Sequence, residues 1–308
     1  MGIGWQGKGL LQTMLDIFTY AFIQNAFLAG TCVAIMAALV GYFLVVRGLT
    51  FAGHALSHIG FAGAAGAVLL GIDPIFGLLA FTVGSGIGIG LLGKELRERD
   101  VAIGVIMTLA LALGILFLSL YKGYAERAYS ILFGTILGIS QFDVQTNVLF
   151  CLLCLALIVL LFRPLLFSSF DPEVAQTRGV PVRLLGVLFL IIVAITISIS
   201  VKVVGILLIF TLLVGPAATA IRIVHSPVKA ILLACLLSVG YTWLAIFLAA
   251  LTPWPVSFFI TALAFMVYLP VRLLSPLWLG KHGREDALEE SLASDERAGE
   301  IQFSGSSH

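Results

Sequence analysis

The chain has 308 residues, 60% of them hydrophobic and only 11% charged, with a mean hydropathy of +1.13. Because a soluble globular domain carries about 25% charged residues, this composition excludes an ordinary soluble enzyme and a disordered protein. The net charge of +1 and the four cysteines argue against a nucleic-acid-binding protein and a disulfide framework, so the composition predicts an all-α polytopic membrane protein.

Stretches without Asp, Glu, Lys or Arg mark the expected transmembrane helices, since a span needs about 20 apolar residues. They are 17–46, 48–72, 74–93, 101–121, 144–162, 184–201, 203–221 and 230–271. The last stretch has room for two helices and is interrupted at 253–255 (Pro-Trp-Pro). The pattern predicts about eight or nine spans in a domain over 17–275, between an N-terminal segment 1–16 and a tail 276–308.

One uncharged segment, 128–142, is too short to span a membrane. We expect it to be a half-helix or re-entrant piece, which must be buried in protein or line a cavity. The alternative is a helix lying on the outer membrane surface.

Lys and Arg are concentrated in four regions, which places those regions in the cytoplasm. The residues concerned are Lys94, Arg97, Arg99, Arg163, Arg178, Arg183, Arg222, Lys229, Arg272, Lys281 and Arg284. This orientation puts the C-terminus in the cytoplasm, at the cost of Lys122, Arg127 and Lys202 on the outer side. The tail is rich in Asp and Glu, and we expect it to be cytoplasmic and partly disordered.

Two glycine-rich stretches look like phosphate-binding loops but lack the necessary context. Residues 2–7 match G-x-G-x-x-G, yet Gly9 stands where a Walker A loop needs Ser or Thr for magnesium. Residues 84–90 lie inside a predicted span, where small residues let helices pack closely. The same reasoning predicts that the helix over 54–71 is central. It assigns helix packing to Gly60, Gly63 and Gly66.

His54 and His58 are the most informative residues, because they lie four apart in a span without charged residues. Residues at i and i+4 share a helix face, so both imidazoles can bind one transition-metal ion. The spacing is that of H-E-x-x-H, but Ala55 replaces the Glu that would activate water. Metal binding or passage is therefore the hypothesis, and hydrogen bonding to neighbouring helices is the alternative.

Other polar residues within or beside the spans have simpler interpretations. Cys151 and Cys154 form C-x-x-C without a second pair at ligand spacing, so we expect them to pack in the interior. Asp73 is expected to cap the next helix, with a place in an outer vestibule as the alternative. Asp143 and Glu126 are expected to be solvated loop charges.

The segment 164–182 predicts a short amphipathic cytoplasmic helix at about 172–178. Asp171 is a suitable N-cap, Pro172 suits the first helical position and Gly179 suits the end. A surface helix joined firmly to two spans could be moved by a partner protein, whereas a well-capped loop is the alternative.

Three stretches together resemble the membrane subunit of bacterial ABC importers for manganese, zinc or iron(II). The sequence FAGHALSH at 51–58 is similar to that family's G-D-[AS]-[LI]-[SA]-H signature. The sequence FDPEVA at 170–175, followed by Arg178 and Gly179, is similar to F-D-P-E-x-A…G. The stretch 204–220 is similar to V-G-x-L-L…P-A-A-[TS]-A. The resemblance covers about residues 20–275 and is specific only as a combination.

The resemblance implies a type II ABC importer-like permease in a bacterial cytoplasmic membrane, with no enzymatic activity of its own. The expected partners are a second copy of the chain, a cytoplasmic ATPase dimer, an extracytoplasmic metal-binding protein and membrane lipid, but no nucleic acid. No cofactor would be bound permanently, since the divalent metal is cargo. His54 and His58 would line the path, and Pro216 would serve helix packing. The ATPase-coupling residues would be Phe170, Asp171, Pro172, Glu173, Ala175, Arg178 and Gly179.

The chain departs from the family at His54, where Asp is usual, whereas His58 matches. An imidazole nitrogen in place of a carboxylate oxygen favours zinc over manganese and makes passage sensitive to pH near 6.5. Zinc and manganese are therefore both expected cargoes. Three alternatives stay open: a permease for chelated cargo (siderophore, haem or cobalamin), an intramembrane metalloenzyme, and a self-contained secondary transporter.

Overall fold

The computed structural model describes residues 20–91, 96–121, 131–134, 138–252 and 254–274. Within these ranges the regular elements are helical, and we number the ten longer ones in chain order. They are α1 (Ala21–Val46), α2 (Thr50–Leu69), α3 (Pro74–Leu91), α4 (Leu96–Ser119), α5 (Gln141–Phe170), α6 (Pro172–Thr177), α7 (Val182–Val204), α8 (Ile206–Ile223), α9 (Pro227–Leu251) and α10 (Val256–Leu274). The predicted segments 1–16 and 276–308 lie outside the described residues.

The expected all-helical membrane architecture is confirmed. Among the helices described, eight are long and apolar enough to cross a membrane, namely all ten numbered helices except α2 and the six-residue α6. Helix α2 is also 20 residues long, but two histidines and many small residues make it less apolar. The predicted break near 253–255 separates α9 from α10. The break predicted at Lys202 lies instead at Gly205, whose φ of 81° ends α7.

Helix α5 is longer than the sequence indicated. The predicted span 144–162 and the first part of the loop after it, as far as Phe170, belong to one helix of 30 residues that continues through Pro164. A proline inside a helix costs about 3 kcal/mol because it removes a backbone hydrogen bond. The residues that follow it offset this cost by packing, since Leu165 and Ser168 are buried. The helix ends at Phe170, and only Asp171 separates it from α6.

Helix α2 is central, as expected, and packs mainly against α3 and α4. Its glycines allow the close approach. A Cβ added at Gly60 would lie 2.9 Å from the Thr82 methyl group, and one at Gly63 would clash with the carbonyl oxygen of Gly77. Gly66 instead faces the ring of Phe117 on α4. Small residues thus let the backbones of α2 and α3 touch.

Helices α3 and α7 pack through the glycine stretch 84–90. Gly86 and Gly90 approach α7, whereas a Cβ at Gly84 or Gly88 would meet nothing within 4 Å. A buried hydrogen bond of 2.8 Å between the hydroxyls of Thr82 and Ser198 joins the same two helices. The prediction that this stretch serves helix packing is therefore confirmed for Gly86 and Gly90 but not for Gly84 and Gly88.

The segment 128–142 is described in part. Residues 131–133 form a helical turn that ends at Gly134, and Gly134 lies backbone to backbone against Gly205. Ser257 donates a hydrogen bond of 3.3 Å to the Phe133 carbonyl, and Asn25 donates one of 3.3 Å to that of Ile139. Protein side chains thus satisfy two carbonyls of this irregular segment, as a buried re-entrant segment requires.

The expectation that Asp143 is a solvated loop charge is wrong. Asp143 and Ser140 form a reciprocal capping box at the start of α5, and Lys202 forms an ion pair of 2.6 Å with the same carboxylate. The pair joins the start of α5 to the end of α7. Glu126 lies outside the described residues.

Two further structural predictions are confirmed. Asp73 caps α3 by accepting a hydrogen bond of 3.0 Å from the amide of Ile75. Cys151 and Cys154 are buried between helices, and Cys154 lies 3.7 Å from the hydroxyl of Thr196.

Gly63→Ala should destabilise the fold by about 1–3 kcal/mol, because the added methyl group cannot fit against the α3 backbone. Gly84→Ala is the matched control, since its methyl group would enter open space. Thermal unfolding of the purified protein should show a lower Tm for Gly63→Ala and an unchanged or higher Tm for Gly84→Ala. Equal Tm values for the two variants would contradict this account of the α2–α3 packing.

Candidate functional site

The imidazoles of His54 and His58 lie side by side on α2. Their ring centroids are 4.5 Å apart and the rings are nearly perpendicular, at 81°. Helix α2 begins at Thr50, so His54 is about one turn and His58 about two turns from its start. The spacing of four residues therefore produces the pairing on one helix face that the sequence predicts.

The two histidines lie on a face of α2 that its neighbours cover only in part. Residues 52, 53 and 55–57 are buried, whereas His54 and His58 are both partly exposed. The Phe210 ring of α8 lies 4.7 Å from the His54 ring, at 65° between the planes. The pair thus lies beside α8 on a partly exposed face of α2, within a part of the helix that is otherwise largely buried.

The His54 imidazole carries a buried nitrogen that has no protein partner. Its Nδ1 atom has no hydrogen-bond partner among the described residues. The nearby hydroxyl of Ser57 donates instead to the Gly53 carbonyl, at 3.1 Å. Leaving a buried polar atom unpaired costs about 1–3 kcal/mol. The site therefore presents a nitrogen that a ligand can satisfy.

Two imidazoles do not complete the coordination of a metal ion. Within the described ranges, no group of three or more His, Cys, Asp or Glu residues is placed to hold one. A tetrahedral ion needs two further donors and an octahedral ion needs four. Water or another polypeptide must supply them.

The second set of predicted residues surrounds helix α6. The Asp171 carboxylate accepts a hydrogen bond of 2.9 Å from the amide of Val174, and Pro172 occupies the first turn. Gly179 has a φ of 80°, a conformation that residues with a Cβ rarely adopt. The short helix predicted at 172–178 is therefore present at 172–177.

Helix α6 lies on the end of the bundle with most of its surface exposed. Ala175 is fully buried and anchors the helix against the spans. Exposed side chains are those of Phe170, Asp171, Pro172, Glu173, Val174, Gln176, Thr177 and Arg178. Phe170, just before the helix, is 66% exposed and Val174, within it, is 42% exposed, and both fractions are large for apolar side chains.

Pro216 and Phe210 both belong to α8. Pro216 is buried inside that helix, and α1 crosses α8 nearby, where Gly41 lies against the Leu213 carbonyl. Phe210 was not predicted as a site residue. An aromatic residue in an apolar span ordinarily serves packing, so only its contact with His54 identifies it.

Comparison with known proteins gives consistent results. The ABC 3 transport family matches residues 19–275. The chain is 32% identical over 229 residues to "Manganese transport system membrane protein MntC" of Listeria innocua, covering 74% of this chain and 79% of that protein. It is 33% identical over 230 residues to "Manganese import system permease protein ScaB" of Streptococcus gordonii, covering 74% and 82%.

A solved structure also matches over most of the chain. It is PsaBC from Streptococcus pneumoniae in complex with Fab, with a TM-score of 0.76, 28% identity, and coverage of 85% of this chain and 95% of that chain. The chain therefore belongs to the ABC 3 transport family and is a multi-pass membrane permease with the fold of the matched PsaBC chain.

Replacing both His54 and His58 by Ala should remove a metal-binding site from the purified protein. We expect titration calorimetry to detect Zn²⁺ binding to the wild type, each single variant to bind at least about tenfold more weakly, and the double variant to lose the site. His225→Ala is the control, since His225 is exposed at the turn between α8 and α9. Wild-type affinity in the double variant would contradict the site.

Proposed function

We propose that this chain forms the transmembrane path for a divalent transition-metal ion, as the permease subunit of an ATP-driven importer. The observation that carries the proposal is the His54–His58 pair, with rings 4.5 Å apart, on the partly exposed face of a mostly buried helix. Ionisable residues are costly in membrane helices and tend to mark substrate pathways. The relatives named for manganese transport and import support a metal as cargo.

The donor set is completed by a second copy of the chain. Two copies related by a two-fold axis present the same face to one another. If the partly exposed face of α2 meets its symmetry mate, four imidazoles surround one path. A site built from neutral donors binds a cation well enough to admit it, yet releases it readily, as conduction requires. This arrangement also removes the cost of the unpaired His54 nitrogen during passage.

Helix α6 is the surface on which a separate ATPase subunit acts. Its exposed apolar and charged side chains suit a protein partner, while its cap at Asp171 and its anchor at Ala175 join it firmly to the bundle. ATP binding and hydrolysis by that partner move α6, and α5 and α7, which flank it in the chain, transmit the movement. The chain itself carries out no hydrolysis in this proposal.

The orientation follows from the basic residues. Exposed arginines lie toward the ends of the helices around α6. They are Arg163, Arg178 and Arg183, together with Arg222 in the last turn of α8 and Arg272 in the last turn of α10. We place this end in the cytoplasm of a bacterial cell, in agreement with the preference of Lys and Arg for that side. The opposite end then receives the ion from an extracytoplasmic metal-binding protein, and the C-terminus is cytoplasmic.

The choice of metal depends on His54. Manganese prefers oxygen donors, whereas imidazole suits zinc and other later transition metals. The relatives are named for manganese, but the pair in this chain offers nitrogen alone. We therefore propose that both zinc and manganese are cargo, and that the side chain at position 54 determines which of the two metals is preferred.

Uptake measurements with radioactive zinc and manganese test the path and its selectivity. His54→Ala with His58→Ala should abolish uptake while the assembled complex is retained. His54→Asp should raise manganese uptake relative to zinc by about tenfold, because a hard oxygen donor replaces nitrogen. His225→Ala serves as the control. Unchanged uptake by the double alanine variant would disprove the path.

Gly179→Ala should weaken coupling, because a Cβ at φ of 80° is strained by about 1–2 kcal/mol and shifts the end of α6. Gly186→Ala on α7 is the matched control, since a Cβ there meets nothing within 4 Å. We expect fewer ions transported per ATP hydrolysed by Gly179→Ala and a normal ratio for Gly186→Ala. Normal ratios in both variants would count against α6 as the coupling element.

A further inference from the structure

Arg47 is an arginine turned toward the protein interior. It is the C-cap residue of α1, and it is only partly exposed. The other arginines whose side chains the structure describes, at positions 163, 178, 183, 222 and 272, are all exposed. Exposed arginines at helix ends are expected from membrane orientation alone. The partial burial of Arg47 therefore calls for a specific explanation.

The Arg47 guanidinium connects three helices. Its Nη1 atom donates a hydrogen bond of 3.3 Å to the Ser168 hydroxyl on α5, and its Cζ atom lies 5.5 Å from the centroid of the Phe189 ring on α7. A guanidinium can donate hydrogen bonds in its plane while it stacks on an aromatic ring. A lysine ammonium lacks this planar group.

The aromatic ring that Arg47 contacts belongs to a cluster of packed rings. Phe189 is fully buried, and its ring lies 6.3 Å from that of Phe43 on α1. Phe43 also contacts Phe162 on α5, at 5.8 Å between ring centroids. Edge-to-face packing of this kind favours a defined geometry. The ends of α1, α5 and α7 are thus held together around the Arg47 side chain.

On one side Arg47 touches the element that leads to α6. Ser168 precedes Phe170 by two residues, and Asp171 then caps α6. A shift of α6 therefore reaches the last turn of α5, to which Arg47 is bonded.

On the other side Arg47 begins the turn into α2. Gly48 has a φ of 64°, and the Leu49 amide donates a hydrogen bond of 2.9 Å to the Leu44 carbonyl. Leu44 also packs against Gly53, so a Cβ at Gly53 would lie 2.6 Å from the Leu44 side chain. His54 is the next residue. The connection from Arg47 to the histidine pair is therefore short and closely packed.

We propose that Arg47 is a positioning residue that couples the movement of α6 to the start of α2, where the histidines lie. This inference rests on the proposed function, in which α6 receives movement from an ATPase subunit. Arg47 acts by holding the last turn of α5 against the α1–α2 turn. It does not contact the transported ion.

Hydrogen–deuterium exchange on the full transporter, with its ATPase subunits, tests the proposal. A nonhydrolysable ATP analogue should change exchange in both 171–179 and 47–58 of the wild type. In Arg47→Met the response of 47–58 should fall at least about threefold while that of 171–179 persists, as loss of a coupling residue predicts. Arg47→Lys should be intermediate. Arg163→Met, an exposed arginine on α5, should behave as the wild type.

Ion uptake per ATP hydrolysed gives a second measurement and should fall in Arg47→Met. Wild-type responses of both segments in Arg47→Met and Arg47→Lys would overturn the inference. Equal losses of uptake and ATPase activity in Arg47→Met, with segments 171–179 and 47–58 still responding together to the analogue, would also overturn the inference. Such a result would indicate a structural role alone.

The two proposals fail in different ways. If neither segment of the wild type responds to the analogue, ATPase coupling through α6 fails and the inference fails with it. If uptake survives loss of both histidines but Arg47→Met still separates the two responses, the metal path fails and the inference stands.

Discussion

The structure depends on the close packing of small residues around α2. In a membrane the hydrophobic effect does not drive one helix against another, so association comes from van der Waals contact and polar bonds. Gly63 and Gly77 bring the backbones of α2 and α3 together, and the bond from Thr82 to Ser198 fixes α3 against α7. This packing encloses a helix that is less apolar than its neighbours and keeps its two histidines in place.

The enclosure of α2 determines which side chains it presents. Since α3 and α4 cover most of the helix, the histidines lie on its remaining side, where Phe210 of α8 contacts His54. A pair of imidazoles on a flexible or fully exposed helix would bind metal without defining a route. On a helix held by backbone contacts, the pair keeps a fixed position beside α8.

Much of this arrangement could be predicted from the sequence, because it follows from local chemistry. The apolar runs predict the spans, the Asp171-Pro172 start and Gly179 predict α6, and spacing by four predicts the histidine pair. Other features depend on tertiary contacts that no local pattern marks. Helix α5 continues through Pro164 because the next residues are buried, and Asp143 becomes a structural residue because Lys202 comes from a distant helix.

The lack of a carboxylate at position 54 has a consequence for charge. The acidic side chains that the structure describes are those of Asp73, Asp100, Asp143, Asp171 and Glu173, all in connections or close to a helix end. Neutral imidazoles stabilise a divalent cation by donating electron pairs, but they do not offset its charge as a carboxylate does. In the proposed dimer, the second copy of the chain adds nitrogen donors and leaves the same imbalance. In the proposed path, this uncompensated charge weakens binding and speeds release, so the proposal requires that movement of the protein around the site supply the energy for directional transport.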